Sequence, residues 1–275
     1  TYVGDTESTP AMNVWDSNFK QVHHLRDKTT SSVADSTSNN KDGTKTEANQ
    51  PAVITAGEID DAQDFDGVND KIQTACAVPS TYTVEFWIRP DVLNSEKGIH
   101  SADTSGAAEI GIAPANSRIE ACKNWSGNYV YTDAGGMSVG NWYYIVYKAS
   151  NSYHGIYRDG VLRQSETGLS ATTSNNIKFG AGQGIGGYVN AALDEMRFSN
   201  VMRSDAWIKA SYESGRDHLL DFGSEELAGI LKEVADSAVG SETVSRPERQ
   251  MSLSDQATGQ EAVSYTHLTL PTNRE

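Results

Sequence analysis

From about Val53 to Phe198 the chain alternates apolar and polar residues with a period of two, interrupted at short intervals by glycine and Asp-Gly pairs. That period sends successive side chains to opposite faces of a strand. In TYTVEFWIRP, Val84, Phe86 and Ile88 share one face, and Thr83, Glu85, Trp87 and Arg89 share the other. In NWYYIVYK, Tyr143, Ile145 and Tyr147 oppose Trp142, Tyr144 and Val146, so both faces are largely apolar. A strand covered on both sides, in the middle of a sheet, requires that pattern. Asp159-Gly160 marks a hairpin turn and Asp66-Gly67 a second turn. Short strands, many glycines and no long helical period predict an all-β, antiparallel sandwich.

Two helices are expected after it. Ser204 can cap DAWIKASYES, where Trp207 pairs with Ser211 and Ile208 with Tyr212 at i,i+4 spacing. Ser224 can cap EELAGILKEVADSA, whose Leu227, Ile230, Leu231 and Val234 form an apolar stripe. From Gly240 the sequence is polar and aperiodic, which reads as a linker and disordered tail. The final VSYTHLTLPT alternates like an edge strand, but codon by codon it can be written GTC TCT TAT ACA CAT CTG ACG CTG CCG ACG. That string resembles the transposon-end adapter of sequencing libraries, so residues 263–275 are expected to be read-through without function.

The length of 275 residues suits one large domain or two small ones. The 37% hydrophobic content and mean hydropathy of -0.52 describe a polar surface, with no run near the roughly 18 apolar residues of a membrane span. A net charge of -15 argues against nucleic acid, whose binding draws on Lys and Arg. It suits divalent cations and an extracellular surface, or solubility alone. Cys76 and Cys122 lie in no CxxC and have no histidine at ligand spacing, which leaves one disulfide or two buried thiols.

Six motifs then occur in a telling order: DSTSNNKDGT, AQDFDGVNDKI, YTVEFWIRP, NWYYIVYKA, YRDGVLRQS and ALDEMRFSNVMRSDAWIKASY. Together they resemble the laminin-G-like, concanavalin-A-like jelly-roll domains of prokaryotic surface and secreted proteins. The likeness runs from Val14 to Tyr212. TYVGD resembles the last strand of a domain of unknown function that often precedes such modules, and WDSNFKQVHHLRD resembles the join. The expected organisation is a remnant at 1–12, a jelly roll at 13–213, a helical extension at 214–239 and a linker at 240–262. The whole then reads as an internal piece of a longer multidomain protein.

The resemblance implies a two-sheet jelly roll that binds carbohydrates or protein surfaces at the cell surface or outside the cell, often with a structural calcium. The same fold hosts glucanases with an E-x-D-x-x-E strand. Here Glu58-Ile59-Asp60-Asp61-Ala62-Gln63 comes close, but an amide at Gln63 cannot donate and retake the proton. No nucleophile constellation surrounds the scattered His23, His24, His100, His154 and His218, and GAGQGIGG does not lie between a strand and a helix. DSTSNNKDGT fails as an EF-hand, with Asn40 at the glycine position and Thr46 at that of the bidentate glutamate. In the resembling domains the first loop aspartate, loop carbonyls and a carboxylate of the late DE strand meet at one cation. Carried over, the calcium candidates are Asp35, Asn40, Asp42 and Asp194, with Lys41 placing a cation beside them. The competing account is a metal-free loop of Asx turns.

Sugar recognition draws on exposed aromatics flanked by amides and carboxylates. KNWSGNYVYTD offers Trp125, Asn128, Tyr129, Tyr131 and Asp133, and NSYHG adds Tyr153. The expectation is a noncatalytic module for a glycan or cell-surface ligand, alongside other domains of the same chain. Its rivals are an adhesive or structural spacer, such as a phage structural protein, and a hydrolase.

Overall fold

A computed structural model describes residues 14–28, 31–45, 50–102, 108–113, 115–123, 128–168, 174, 176–183 and 185–219. It also describes the backbone of 240–246, 249–254 and 259–260. The chain forms two compact units, Thr1–Leu220 and Asp221–Glu275.

The first unit opens with β1 (Phe19–His23), β2 (Ser32–Val33), β3 (Gly43–Lys45), β4 (Ala52–Ile54), β5 (Ala62–Asp66) and β6 (Ile72–Thr74). Next come β7 (Tyr82–Pro90), β8 (Lys97–Ala102), β9 (Glu109–Ala113), β10 (Arg118–Cys122) and β11 (Tyr129–Tyr131). It continues with β12 (Tyr143–Ala149), β13 (Tyr153–Arg158), β14 (Val161–Thr167), β15 (Ile177–Phe179) and β16 (Asn190–Ser199), then helix α1 (Asp205–Gly215).

Two antiparallel sheets result. The first runs β14-β13-β12-β7-β16-β5-β4, with β1 also paired to β16, and the second runs β11-β10-β9-β8-β15-β6-β3-β2. Asp159 and Gly160, both at positive φ (54° and 75°), make the hairpin between β13 and β14. The turn at Asp66-Gly67 instead carries the chain from β5 in one sheet to β6 in the other.

The alternation read from the sequence decides the packing. Val84, Phe86, Ile88, Ile145 and Tyr147 of the first sheet join Ile110, Ile112, Ile119, Ile177 and Phe179 of the second in one core. Each such side chain contributes about 1.5–3 kcal/mol on full burial. Helix α1 covers the opposite faces of β7 and β12: Trp87, Tyr144, Val146 and Tyr157 pack with Ile208, Trp142 and Tyr212. Ser204 caps the helix, its Oγ accepting from Trp207 N at 3.1 Å. In the first turn Asp205 Oδ1 accepts from Lys148 Nζ (2.6 Å) and from the Tyr157 hydroxyl (2.7 Å), pinning helix to sheet.

Strand β16 is interrupted by a bulge. Along one edge it pairs with β7, with the register shifting between Asp194 and Arg197, and Glu195 sits there at φ 51°. Along the other edge β5 pairs with Asn190 to Leu193 and β1 with Met196 to Ser199.

The second unit corrects one expectation. Residues 240–262 read as a linker, yet β17 (Gly240–Arg246), β18 (Arg249–Ser254) and β19 (Gly259–Gln260) form a three-stranded sheet. Val244 lies opposite Met251 and Glu242 opposite Leu253 in an antiparallel pair. With so few apolar residues, the period of two was hidden by overall polarity. Only one helix is present among the described residues; the second expected helix, the 1–12 remnant and residues 263–275 lie outside them. Cys76 and Cys122 are free, buried thiols. No helix among the described residues is long and apolar enough to cross a membrane.

Candidate functional site

Strands β10 and β11 form the outer edge of the second sheet. Ile119, Ala121 and Val130 point into the core, so alternation turns Arg118, Glu120, Tyr129 and Tyr131 to the outer face. Register places Glu120 opposite Tyr131 and Cys122 opposite Tyr129. On the inner neighbour β9, Gly111 faces Glu120 and Glu109 faces Cys122. The two half-buried tyrosine rings stack at 6.2 Å with an interplanar angle of 28°. The Arg118 guanidinium lies 3.8 Å from the Tyr131 ring centroid, a cation–π contact that fixes both groups.

Burial pushes the Glu120 carboxyl up to about 7, helped by the Glu96 and Glu109 carboxylates and opposed by Arg118. Burial raises the Tyr129 hydroxyl as well, and the Cys122 thiol rises to about 12, so that thiol is not a nucleophile near neutral pH. Glu109 Oε1 accepts from Gln183 N (2.8 Å) and Ile185 N (2.7 Å) and holds that loop against the sheet. Two glycines make the approach feasible: a Cβ on Gly98 would collide with Gly182 backbone, and one on Gly111 with the Ile185 side chain. The result is an aromatic pair beside a carboxyl, a guanidinium and a fixed loop wall, which can stack on an apolar ring face and exchange hydrogen bonds with hydroxyls.

Of the residues expected to contact sugar, Tyr129 and Tyr131 come together. Asn128 is exposed at the start of β11, and Trp125 lies outside the described residues. Asp133 goes elsewhere: its Oδ2 accepts from Arg163 Nη1 (2.8 Å) and Arg158 Nη2 (3.3 Å). Tyr153 sits on β13 in the other sheet. Arg118 and Glu120 were missed, although the alternation in RIEAC carried the signal.

The calcium candidates separate. Asp35 Oδ1 accepts from Val22 N (2.9 Å) and Thr37 N (3.0 Å), and Oδ2 from Thr37 Oγ1 (2.9 Å) and Lys41 N (2.8 Å). Asp42 Oδ1 accepts from Asp35 N at 2.8 Å. Asn40 takes the left-handed backbone, φ 50°, that an asparagine tolerates. Asp194, fully buried, accepts from Ile59 N through Oδ2 at 2.8 Å, while Oδ1 meets no donor among the described residues. Among the described residues no three His, Cys, Asp or Glu side chains assemble as a metal requires. Asp35 and Asp42 therefore meet, but Asp194 does not join them, and donors already surround Asp35. These residues do not fit the shared calcium site expected of them.

Nor does the E-x-D-x-x-E likeness assemble a catalytic row. Gln63 is buried, donating through Nε2 to Leu25 O (2.9 Å) and Asp27 O (3.1 Å) and accepting from Lys45 Nζ at 2.7 Å. It ties β5 to β3 across the two sheets.

Comparison with known proteins agrees with this architecture. Domain 4 of AbnA, an extracellular arabinanase of Geobacillus stearothermophilus solved with arabinotriose, superposes with a TM-score of 0.56 at 18% identity, over 70% of this chain and 97% of that one. The ligand binding domain of botulinum neurotoxin serotype D, solved with N-acetylneuraminic acid, gives 0.58 at 16% over 74% and 52%. The binding domain of Paraclostridial Mosquitocidal Protein 1 gives 0.56 at 15% over 72% and 52%. The chain thus spans about half the length of the toxin binding domains it matches. No curated protein matches the sequence. The laminin G 3 family, described as the concanavalin A-like lectin/glucanases superfamily, matches residues 65–209, more than half of the chain. With both sheets, the helix and the family's sequence pattern in agreement, the chain belongs to the concanavalin A-like lectin/glucanases superfamily.

Proposed function

We propose that this protein is a noncatalytic glycan-binding module of a secreted or surface protein, and that it binds sugar on the outer face of β10 and β11. The observation that carries this is the cross-strand placement of Tyr131 against Glu120, with Tyr129 and Arg118 as flanking contacts. Stacked tyrosines offer apolar area at little conformational cost, and the carboxyl and guanidinium supply direction. Two solved neighbours of the same fold hold sugars, which supports the class of ligand. The noncatalytic reading rests on Gln63, an amide locked in the core where the acid of a glucanase would stand.

A glycan array tests it. Tyr131→Ala is expected to weaken binding to the best glycan at least about tenfold, roughly 1.4 kcal/mol, with the fold retained by circular dichroism. Absence of binding to any glycan by the parent protein would favour the adhesive spacer instead. In this reading Asp35 is a hub for backbone donors rather than a calcium ligand. Chelator is accordingly expected to leave the thermal unfolding curve in place, and a rise in melting temperature on adding calcium would restore the metal.

A further inference from the structure

We propose that a pocket beside the β16 bulge is a second, separate binding site, for a single neutral sugar unit. The cavity measures about 290 Å³ and is lined by His24, Arg26, Ile59, Asp60, Glu195 and Arg197. That is close to the lower limit of small-ligand pockets, about 300 Å³. It is formed by the segment after β1, by β16 and by the loop before β5, beside the first sheet, and shares no residue with the tyrosine face.

Its walls are built with some strain. Glu195 holds a left-handed backbone, φ 51°, which costs a non-glycine residue about 1–2 kcal/mol. The bulge delivers its nearly buried carboxylate to the pocket, where Oε1 accepts from His24 Nδ1 at 2.6 Å and Oε2 from Arg197 Nε (3.2 Å) and Nη2 (2.8 Å). Trp15 backs two of the walls, with its ring 6.0 Å from His24 and the Arg197 guanidinium 5.4 Å from its centroid. Against the upward push of burial, these donors hold the Glu195 carboxyl below its ordinary value.

The charges decide the class of ligand. Arg197 is matched by Glu195 at 2.8 Å and Arg26 by Asp60 at 3.7 Å, so the wall cancels its own charge. A bare anion or cation would have to break one of these pairs. What the wall retains is hydrogen-bonding capacity in both directions: carboxylate lone pairs, guanidinium N–H groups and the His24 Nε2 edge. Ile59 adds an apolar surface. Neutral hydroxyl groups around a ring of carbon use all of these without upsetting the pairs.

The full chain labelled with fluorotryptophan provides the test, by fluorine NMR. It contains five tryptophans, and Trp15→Phe assigns the resonance that reports on the pocket. D-glucose, D-galactose, D-mannose, L-arabinose and N-acetylglucosamine are added singly, with N-acetylneuraminic acid and sulfate as charged probes. At least one neutral sugar is expected to shift the Trp15 resonance saturably. That shift persists in Tyr131→Ala, which separates this pocket from the tyrosine face, and disappears in Ile59→Trp, which fills the cavity from a half-exposed position. A Trp15 resonance that ignores every neutral sugar overturns the proposal. A shift that survives Ile59→Trp, or one produced only by the charged probes, overturns it too.

Discussion

Phe198→Ala is expected to lower folding stability by about 3–5 kcal/mol, the cost of a large cavity in a close-packed core. Phe198 on β16 stacks on Tyr82 at 5.7 Å and 15°, and on His100 of the opposite sheet at 6.5 Å and 8°. The stack therefore spans the sandwich, and alanine removes its middle layer. His100 remains an uncharged member: burial pushes it down to about 4, and its Nδ1 lies 2.9 Å from Ala108 O. In a domain of this size each kcal/mol moves the melting temperature by about 2–4 °C, so a fall near 10 °C should accompany the lower urea midpoint. A loss under about 1 kcal/mol would show that the two sheets do not depend on this stack.

The second large effect depends on pH. Burial pushes the Asp194 carboxyl up from 3.8 to about 7, with Glu195 adding to the rise and the Ile59 amide opposing it. The folded state therefore holds the proton more tightly than the unfolded chain. The stability this contributes is complete below about pH 4, falls as pH rises towards 7, and is gone above it. At 1.36 kcal/mol per pH unit, the interval amounts to about 4 kcal/mol. Asp194→Asn keeps the acceptor for Ile59 N and cannot ionise. Its stability relative to the parent should therefore grow between pH 4 and 8 by roughly that amount, read from urea unfolding at each pH. Parallel stability curves for parent and variant would refute the assignment.

Much of the fold could be read from local pattern. The period of two in β7 and β12 identified the core residues, and the apolar second face of β12 required cover on both sides, which α1 supplies. Ser204 announced that helix because a cap is a local event. The site was less legible, since cross-strand register is not local. Tyr129 and Tyr131 are two residues apart and could be seen as a pair, whereas Glu120 joins them only through the pairing of β10 with β11. The supposed meeting of Asp35 with Asp194 failed for the same reason. Asp35 captures Thr37 N in the Asx turn that local spacing does foresee, but no spacing rule announces Val22 and Lys41 as further donors to it, or Ile59 as the donor to Asp194.

The strand that opens the sandwich and the strand that closes it are hydrogen-bonded neighbours, with Phe19 opposite Ser199. Because the pair is antiparallel, chain enters and leaves the module at the same end of that ladder. Force pulling the outer ends of β1 and β16 apart would then open the pair one bond at a time, as a zipper opens, instead of shearing all of them at once. Arg203 stands just outside the first pair and grips Asp16 through Nη1 at 2.8 Å, its guanidinium lying over Phe19 and Trp207. One arginine thus clasps the chain just before β1 to the chain just after β16, across the open end of that ladder.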